Sequence, residues 1–215
     1  MSARENILAR IREKQGKTAV PAAAERDAVR AHIAAHAQSP RPRAAWDPMA
    51  RFRQQAIVLS STVDVAESLA TVPAAVARYL AERKLAMSAV CWDEFADLGW
   101  SNAGIEIAVR EARDGDPVGI TGAYCAIAET GTLMTVSGPR APATVSLLPE
   151  THIAVVRVSR IVRGMEDAWR LLRDELNAPP RAVNFISGPS RTADIEQTVT
   201  LDAHGPYRVH VILTN

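Results

Sequence analysis

The chain has 215 residues, 47% of them hydrophobic, and its 25 basic and 24 acidic side chains leave a net charge of +1. This length fits one domain of about 100 to 200 residues together with an arm. The balanced charge gives no electrostatic reason to expect a nucleic acid or an anionic membrane as the main partner. No apolar run is long enough to cross a bilayer, and the first residues lack the apolar core of a signal peptide. We therefore expect a cytoplasmic protein.

Residues 1–48 are predicted to form a helical arm with a proline-rich linker, followed by one α/β domain over residues 49–215. Ser2 and Glu5 have the spacing of a capping box at the start of a short helix, and a second, alanine-rich helix is expected over about 22–37. Three prolines, at positions 40, 42 and 48, then make residues 38–48 an extended connector.

Two residue types in the chain invite a metal or redox interpretation. His32 and His36 lie four residues apart and would share a helix face, but structural zinc takes about four protein ligands, so no metal site is predicted. Cys91 and Cys125 lack metal-ligand spacing, and buried free thiols are expected in the cytosol. A reactive Cys125 is the alternative, because it lies close to a polar stretch of the chain.

From residue 49 onward, helical segments alternate with short apolar runs. This alternation is typical of a mainly parallel sheet with helices over its faces. The predicted helices cover residues 52–59, 73–82 and 165–176, with a short helix or turn over 141–149. The predicted strands cover residues 62–65, 86–92, 105–110, 118–121, 132–137, 152–158, 183–187 and 208–214.

A first polar block precedes the strand predicted over residues 132–137. It consists of Glu129, Thr130, Gly131 and Thr132. A glycine beside a carboxylate allows a sharp turn or the close approach of a ligand, so Glu129 could be held at a strand edge with its oxygens facing a cleft. A tight turn with a solvated acid is the alternative.

A second polar block follows the strand predicted over residues 183–187. It comprises Ser187, Gly188, Ser190, Arg191, Thr192, Asp194 and Glu196. If a helix begins near Thr192, its free N–H groups lie at the carboxyl end of the sheet, where open α/β folds bind ligands. Arg191 could then hold a phosphate or carboxylate, with the hydroxyls as donors. Alternatively, the hydroxyls cap the helix and Arg191 pairs with an acid.

The two acids of the second block oppose anion binding unless Arg191 or a metal neutralises them. We expect both blocks to meet at one rim of the sheet and to form a common pocket. His152 and His204 could carry protons near this cleft, or they could satisfy backbone groups at a strand and a turn.

Four segments together resemble the LUD domain family of lactate utilisation protein C. They are Ala-Glu-Thr-Gly-Thr-Leu at 128–133, Ser-Leu-Leu-Pro at 146–149 with His-Ile at 152–153, the ten residues 187–196, and His-Gly-Pro at 204–206. The resemblance covers about residues 49–215. It implies a three-layer α/β/α body similar to the ribose-5-phosphate isomerase and CoA-transferase superfamily. It also implies a bacterial cytosolic role in oxidising L-lactate to pyruvate, beside two iron–sulphur partner proteins.

Two functions are compatible with this resemblance. The first is an accessory subunit of a lactate-oxidising complex that holds a small carboxylate or phosphate between the two blocks. This chain lacks a cysteine cluster and a G-x-G-x-x-G fingerprint, so no cofactor is expected in it, and the iron–sulphur clusters are expected in the partners. The second is an enzyme in which Glu129 is the nucleophile or general base and Arg191 binds the substrate carboxylate. Glu129-Thr130-Gly131 resembles the Glu-x-Gly segment of some CoA transferases.

Overall fold

The computed structural model describes the whole chain except residues 1, 19, 39, 42–44, 193–199 and 202–204. By its internal contacts the chain divides into two compact units, Met1–Arg43 and Ala44–Asn215. Within the described residues, no helix is both long and apolar enough to span a bilayer.

The first unit contains the helices α1 (Ala3–Lys14) and α2 (Ala23–Ala35). The capping box at α1 is present, because the Ser2 hydroxyl accepts the Glu5 N–H and the Glu5 carboxylate accepts the Ser2 N–H. His36 lies beyond the end of α2 in left-handed backbone, with a φ of 43°. It therefore does not continue the helical face that carries His32.

The second unit is built from helices and short strands. Its described helices are α3 (Pro48–Val58), α4 (Val72–Arg83), α5 (Thr144–Leu147) and α6 (Met165–Glu175). Its described strands are β1 (Thr62–Ala66), β2 (Ser88–Cys91), β3 (Glu106–Val109), β4 (Val118–Gly122), β5 (Cys125–Ile127), β6 (Thr132–Val136), β7 (Thr151–Arg157), β8 (Ile161–Val162), β9 (Val183–Ile186), β10 (Arg191–Thr192), β11 (Thr200–Leu201) and β12 (Arg208–Thr214).

Six of these strands form a central sheet in the order β1-β12-β7-β4-β2-β3. Every pairing in this sheet is parallel. The predicted α/β class with a mainly parallel sheet is therefore confirmed. Parallel strands are covered on both faces, which explains why β7 is buried from Thr151 to Val156.

A second sheet, which the sequence did not predict, has the order β8-β5-β6-β9 and is mainly antiparallel. Side chains of β5 alternate between its two faces. Ala126 packs with α3 and the central sheet, whereas Cys125 and Ile127 pack with α6. One face of the central sheet thus packs against α4, and the other face packs against α3 and the second sheet. The second sheet packs against α6 on its far face.

A strand occupies Arg191 and Thr192, where a helix was predicted to begin, and residues 193–199, on which the rest of that helix would fall, lie outside the described residues. Arg191 and Thr192 form β10, which pairs antiparallel with β11. The Ser-Gly-Pro-Ser segment therefore leads into a strand at these two residues.

Two histidines are buried in the central sheet. His152 has no exposed surface, and its Nε2 lies 2.7 Å from the Thr121 Oγ1. His210 stacks on Tyr79 with ring centroids 3.9 Å apart, and its Nδ1 lies 2.8 Å from the Thr62 Oγ1. Burial lowers the pKa of each histidine to about 4. Both rings are therefore neutral at pH 7.

We expect the free energy of unfolding to decrease as the pH falls from about 6.5 toward 4. In this window the unfolded chain binds protons that the native chain excludes, so protonation favours unfolding. For His152, the change in pKa from 6.5 to about 4 corresponds to about 3 kcal/mol. Urea unfolding between about pH 7.5 and pH 5 measures this effect.

Replacing His152 by Gln should reduce the pH dependence by up to about 1.4 kcal/mol per pH unit. His32→Gln, the same substitution at an exposed position, provides the matched control. An undiminished pH slope in the His152→Gln protein would contradict this assignment.

Candidate functional site

The hydroxyl groups of the two polar blocks meet, as expected. The Thr130 hydroxyl donates to the Thr132 Oγ1 over 2.8 Å, and the Thr132 Oγ1 lies 2.8 Å from the Ser187 Oγ. Thr132 begins β6 and Ser187 follows β9, and these two strands are antiparallel neighbours. Strand pairing in the second sheet therefore brings the blocks together.

Both glycines of the blocks pack against the carboxyl-terminal part of α3. A Cβ on Gly131 would lie 2.5 Å from the backbone nitrogen of Ala56, and a Cβ on Gly188 would lie 2.2 Å from the carbonyl oxygen of Leu59. Both glycines also have positive φ values, 70° and 80° respectively. Close packing and backbone conformation thus explain these glycines without a ligand.

Arg191 also contacts the end of α3. Its guanidinium donates to the hydroxyl of Ser60 and to the carbonyl oxygen of Leu59, the C-cap residue of α3. A basic side chain at a helix C-terminus satisfies free carbonyl groups and interacts favourably with the helix dipole. No ion pair joins Arg191 to Glu129, both of which lie in the described part of the chain. Glu129 is half-buried, and its N–H donates to the carbonyl oxygen of Arg163 beside β8.

The contacts between the two polar blocks and α3 lie at the amino end of the central sheet, because Leu59 and Ser60 lead directly into β1. The expectation that it would lie at the carboxyl end is therefore wrong for the central sheet. Ser187 does follow the carboxyl end of β9, but β9 belongs to the second sheet.

Among the described residues, the other predicted site residues do not form one group. Ser190 donates its N–H to the carbonyl oxygen of Pro206 over 2.7 Å. His152 is enclosed within the central sheet, where it forms a hydrogen bond with the Thr121 hydroxyl of β4. Asp194, Glu196 and His204 lie outside the described residues, as does the side chain of Thr192.

We expect Gly188→Ala to destabilise the protein more than Gly115→Ala does. Both glycines have positive φ, but a Cβ at Gly115 meets open space, whereas one at Gly188 meets the backbone of Leu59. Gly115→Ala should cost about 1 to 2 kcal/mol for left-handed backbone. Gly188→Ala should cost about 1 to 3 kcal/mol more, because the chain must move away from α3. Urea unfolding compares the two variants, and equal losses would show that the contact with Leu59 carries no stability.

A separate cavity opens at the carboxyl ends of β2, β4 and β7. Its volume is about 730 Å³. Its walls are mostly apolar, with a few charged groups, and consist of Leu69, Trp92, Glu94, Phe95, Gly122, Ala123, Tyr124, Val136, Gly138, Pro139, Arg140, Ala141, Val155, Arg157 and Arg160. Ligands of α/β proteins bind at this end of the sheet. None of the described residues of the two polar blocks lines the cavity.

Two of the three arginines that line the cavity are held by neighbouring acids. The Arg160 guanidinium donates two hydrogen bonds to the Glu175 carboxylate, of 2.6 and 2.9 Å. Its Cζ lies 4.7 Å from the centroid of the Tyr124 ring. Hydrogen bonds from Arg160 and Tyr124 lower the pKa of Glu175 to about 2. Burial, and then the bond to Glu175, raise the pKa of Tyr124 to about 12. Arg140 lies 3.3 Å from an Asp93 carboxylate oxygen.

Arg157 is the third arginine, and it differs from the other two. It is exposed at the end of β7, and within the described part of the chain it makes no hydrogen bond or ion pair. A guanidinium that makes no hydrogen bond or ion pair, at the mouth of an apolar cavity, is suited to binding a carboxylate or phosphate.

The Glu94 carboxylate lies directly over Gly122 at the end of β4. A Cβ on Gly122 would come within 2.2 Å of the Glu94 Oε1, so only glycine leaves room for this carboxylate. Partial desolvation raises the pKa of Glu94, and the positive charges of Arg157 and Arg140 oppose that rise. The cavity thus contains the Glu94 carboxylate and, close enough to act on its charge, the Arg157 guanidinium, which makes no hydrogen bond.

These cavity residues were not predicted to form a site from the sequence. One signal was available, because an acidic and aromatic segment, Asp93 to Phe95, follows the strand predicted over residues 86–92. Arg157 follows a buried strand in the same way. The carboxyl ends of parallel strands meet at one edge of a sheet, and this rule could have selected both segments.

Replacing Gly122 by Ala should displace the Glu94 carboxylate toward solvent and bring its pKa back toward the ordinary value. The matched control is Gly138→Ala, since Gly138 also lines the cavity but a Cβ there meets nothing within 4 Å. A carboxyl-carbon NMR titration measures the pKa of Glu94 in each protein. The stability loss should stay near 1 kcal/mol, since a flexible side-chain end can move aside. A Glu94 titration that is identical in both variants would contradict this assignment.

The two cysteines do not contribute a reactive group near neutral pH. Both are buried and free, and burial raises the pKa of each thiol to about 11. The Cys125 Sγ lies 3.7 Å from the Met134 sulphur, inside the layer between the second sheet and α6. A thiol with a raised pKa is a poor nucleophile, so a reactive Cys125 is disfavoured.

Comparison with known proteins identifies relatives of the chain. Residues 65–214 match the family model described as the LUD domain. A "Lactate utilization protein C" of Exiguobacterium sp. is 38% identical over 143 residues, which are 65% of this chain and 62% of that protein. The protein of the same name from Bacillus subtilis is 35% identical over 127 residues, 58% of this chain and 50% of that one. The match thus spans about half to 62% of the length of these relatives.

A solved structure shares the fold. The crystal structure of a DUF162 family protein from Deinococcus radiodurans has a TM-score of 0.59 and covers 81% of this chain and 100% of that one, at 22% identity. At this level of identity, the similarity shows that the two chains have the same fold.

Proposed function

Because the chain belongs to the LUD domain family, we propose that it is an accessory component of bacterial L-lactate utilisation, the oxidation of L-lactate to pyruvate, in the cytoplasm. The names of the Exiguobacterium and Bacillus relatives support this role. The proposal assigns the iron–sulphur clusters to partner proteins. An iron–sulphur cluster takes about four cysteine ligands, whereas this chain has two cysteines, both buried.

The proposed ligand of this chain is a small carboxylate, L-lactate or pyruvate, bound in the cavity at the carboxyl ends of β2, β4 and β7. The observation that carries this proposal is the uncommitted guanidinium of Arg157 at the cavity mouth. A guanidinium offers two parallel N–H donors that match the two oxygens of a carboxylate. The nearby Glu94 carboxylate can accept a hydrogen bond, so it would favour a ligand that also offers a hydroxyl group, as L-lactate does, over a simple anion.

The alternative is a CoA-transferase-like or isomerase-like enzyme that uses Glu129 as nucleophile or general base. Glu129 follows β5 at the amino end of the central sheet, whereas Tyr124, which precedes β5, lines the cavity. The strand therefore separates Glu129 from the cavity. An enzyme that used Glu129 would have to bind its substrate at the rim formed by Thr132 and Ser187.

Growth on L-lactate distinguishes the two proposals. A strain that lacks the gene for this protein is complemented with the wild type, with Arg157→Gln or with Glu129→Gln. If the ligand binds in the cavity, Arg157→Gln should weaken ligand binding about tenfold or more and slow growth on lactate, because a charged hydrogen-bond pair is worth about 1.5 to 3 kcal/mol. Glu129→Gln should then support growth. The enzyme alternative predicts the opposite pattern.

Two measurements complete this test. Arg181→Gln removes an exposed arginine of the same unit that does not line the cavity, and it should grow like the wild type. Purification of a tagged protein from lactate-grown cells should recover iron–sulphur partner proteins. A clean monomer from such cells would count against the accessory role, and normal growth of Arg157→Gln would count against the cavity as the ligand site.

A further inference from the structure

The cavity at the carboxyl ends of β2, β4 and β7 is larger than a small 2-hydroxy acid requires. Its volume is about 730 Å³. Lactate has six heavy atoms, which take up roughly 180 Å³ at the ~30 Å³ that one water occupies in the liquid. About three quarters of the cavity would therefore remain filled by water when lactate is bound.

The part of the cavity beyond Arg157 has apolar walls that belong to the folded core. Trp92, Phe95 and Val155 line the cavity and pack in the same core cluster as α4. The Trp92 Nε1 donates to the carbonyl oxygen of Pro142 over 3.0 Å, so the polar atom of this indole is already satisfied. These three side chains are only 4 to 6% exposed, so they offer a ligand a narrow surface that is apolar and fixed in position.

The charges of the cavity match a ligand with a single negative group. Arg140 and Arg160 are each paired with an acid. Among the described residues that line the cavity, Arg157 is therefore the arginine that remains to bind an anion. The Glu94 carboxylate lies over Gly122 in the same cavity and would repel further negative charge. A polyphosphate would meet one free cation and one acid, and this combination disfavours it.

We propose that this cavity binds an amphipathic monoanion, a carboxylic acid whose carboxylate pairs with Arg157 and whose acyl or aromatic body packs against Trp92, Phe95 and Val155. If each heavy atom takes up the ~30 Å³ of one water molecule, the cavity admits a ligand body of up to about twenty heavy atoms. The inference rests on the proposed function, since it uses the same cavity and the same arginine. It extends that function by assigning larger 2-hydroxy acids and related carboxylates to the site.

Isothermal titration of the purified full-length chain with a series of acids tests this assignment. The series is L-lactate, 2-hydroxyhexanoate, 2-hydroxyoctanoate, 2-hydroxydecanoate and phenyllactate. Affinity should rise about fourfold for each added methylene group, because each buried methylene contributes a constant share of transfer free energy. Phenyllactate should bind more tightly than lactate for the same reason.

Two variants test whether the increase in affinity for the longer acids arises in this cavity. Arg157→Gln should weaken every member of the series by a similar factor of about tenfold or more, because all of them share the carboxylate. Ala141→Phe fills part of the apolar space. It should abolish the gain in affinity from lactate to the longer acids. Arg181→Gln serves as the charge-matched control, and thermal unfolding confirms that each variant is folded.

The outcomes test the class of ligand separately from the proposed role in lactate utilisation. Affinities that stay flat from lactate to 2-hydroxydecanoate, or no binding by any member of the series, would overturn the ligand class. If lactate alone binds, and does so through Arg157, the role in lactate utilisation stands and the larger ligand fails. If the longer acids bind through Arg157 but growth on lactate is independent of Arg157, the ligand class stands and the proposed function fails.

Discussion

The burial of β7 on both of its faces is the constraint on which the site depends. β7 pairs in parallel with β4 on one edge and with β12 on the other, and Ile153 lies opposite both Ile120 and His210. A shift of one residue would exchange the two faces of the strand and would bring different side chains against α4. The register is therefore fixed, and Arg157, the first exposed residue at the carboxyl end, is held at the cavity.

The second sheet separates two polar regions of the chain. β5 is three residues long, and its side chains are fixed alternately against the central sheet and against α6. Tyr124 precedes this strand and lines the cavity, whereas Glu129 follows it at the amino end of the central sheet. Polar residues that are close neighbours in sequence are thus placed at opposite ends of a packed strand.

The rim at the end of α3 illustrates how packing can produce a pattern that resembles a binding site. Gly131 and Gly188 allow two turns to approach the helix, and Arg191 satisfies the carbonyl oxygen at its end. Glycines, hydroxyls and an arginine are also what an anion site requires. The sequence alone could not separate these two explanations, because the helix that the residues contact lies more than seventy residues earlier in the chain than the nearer of the two turns.

The sequence by itself determined the class of the fold and the position of most elements of the α/β domain. Apolar runs such as β7 and β12 are long and continuous enough to identify buried parallel strands, and the apolar face of α6 recurs at helical spacing. It also indicated that the two polar blocks meet. Only the tertiary structure decided that they meet beside α3, that β5 belongs to a second sheet, and that the open cavity lies at the other end of the central sheet beside Arg157 and Glu94. Periodicity reports which face of an element is buried, whereas the end of a sheet at which two loops meet depends on pairings between strands far apart in the chain.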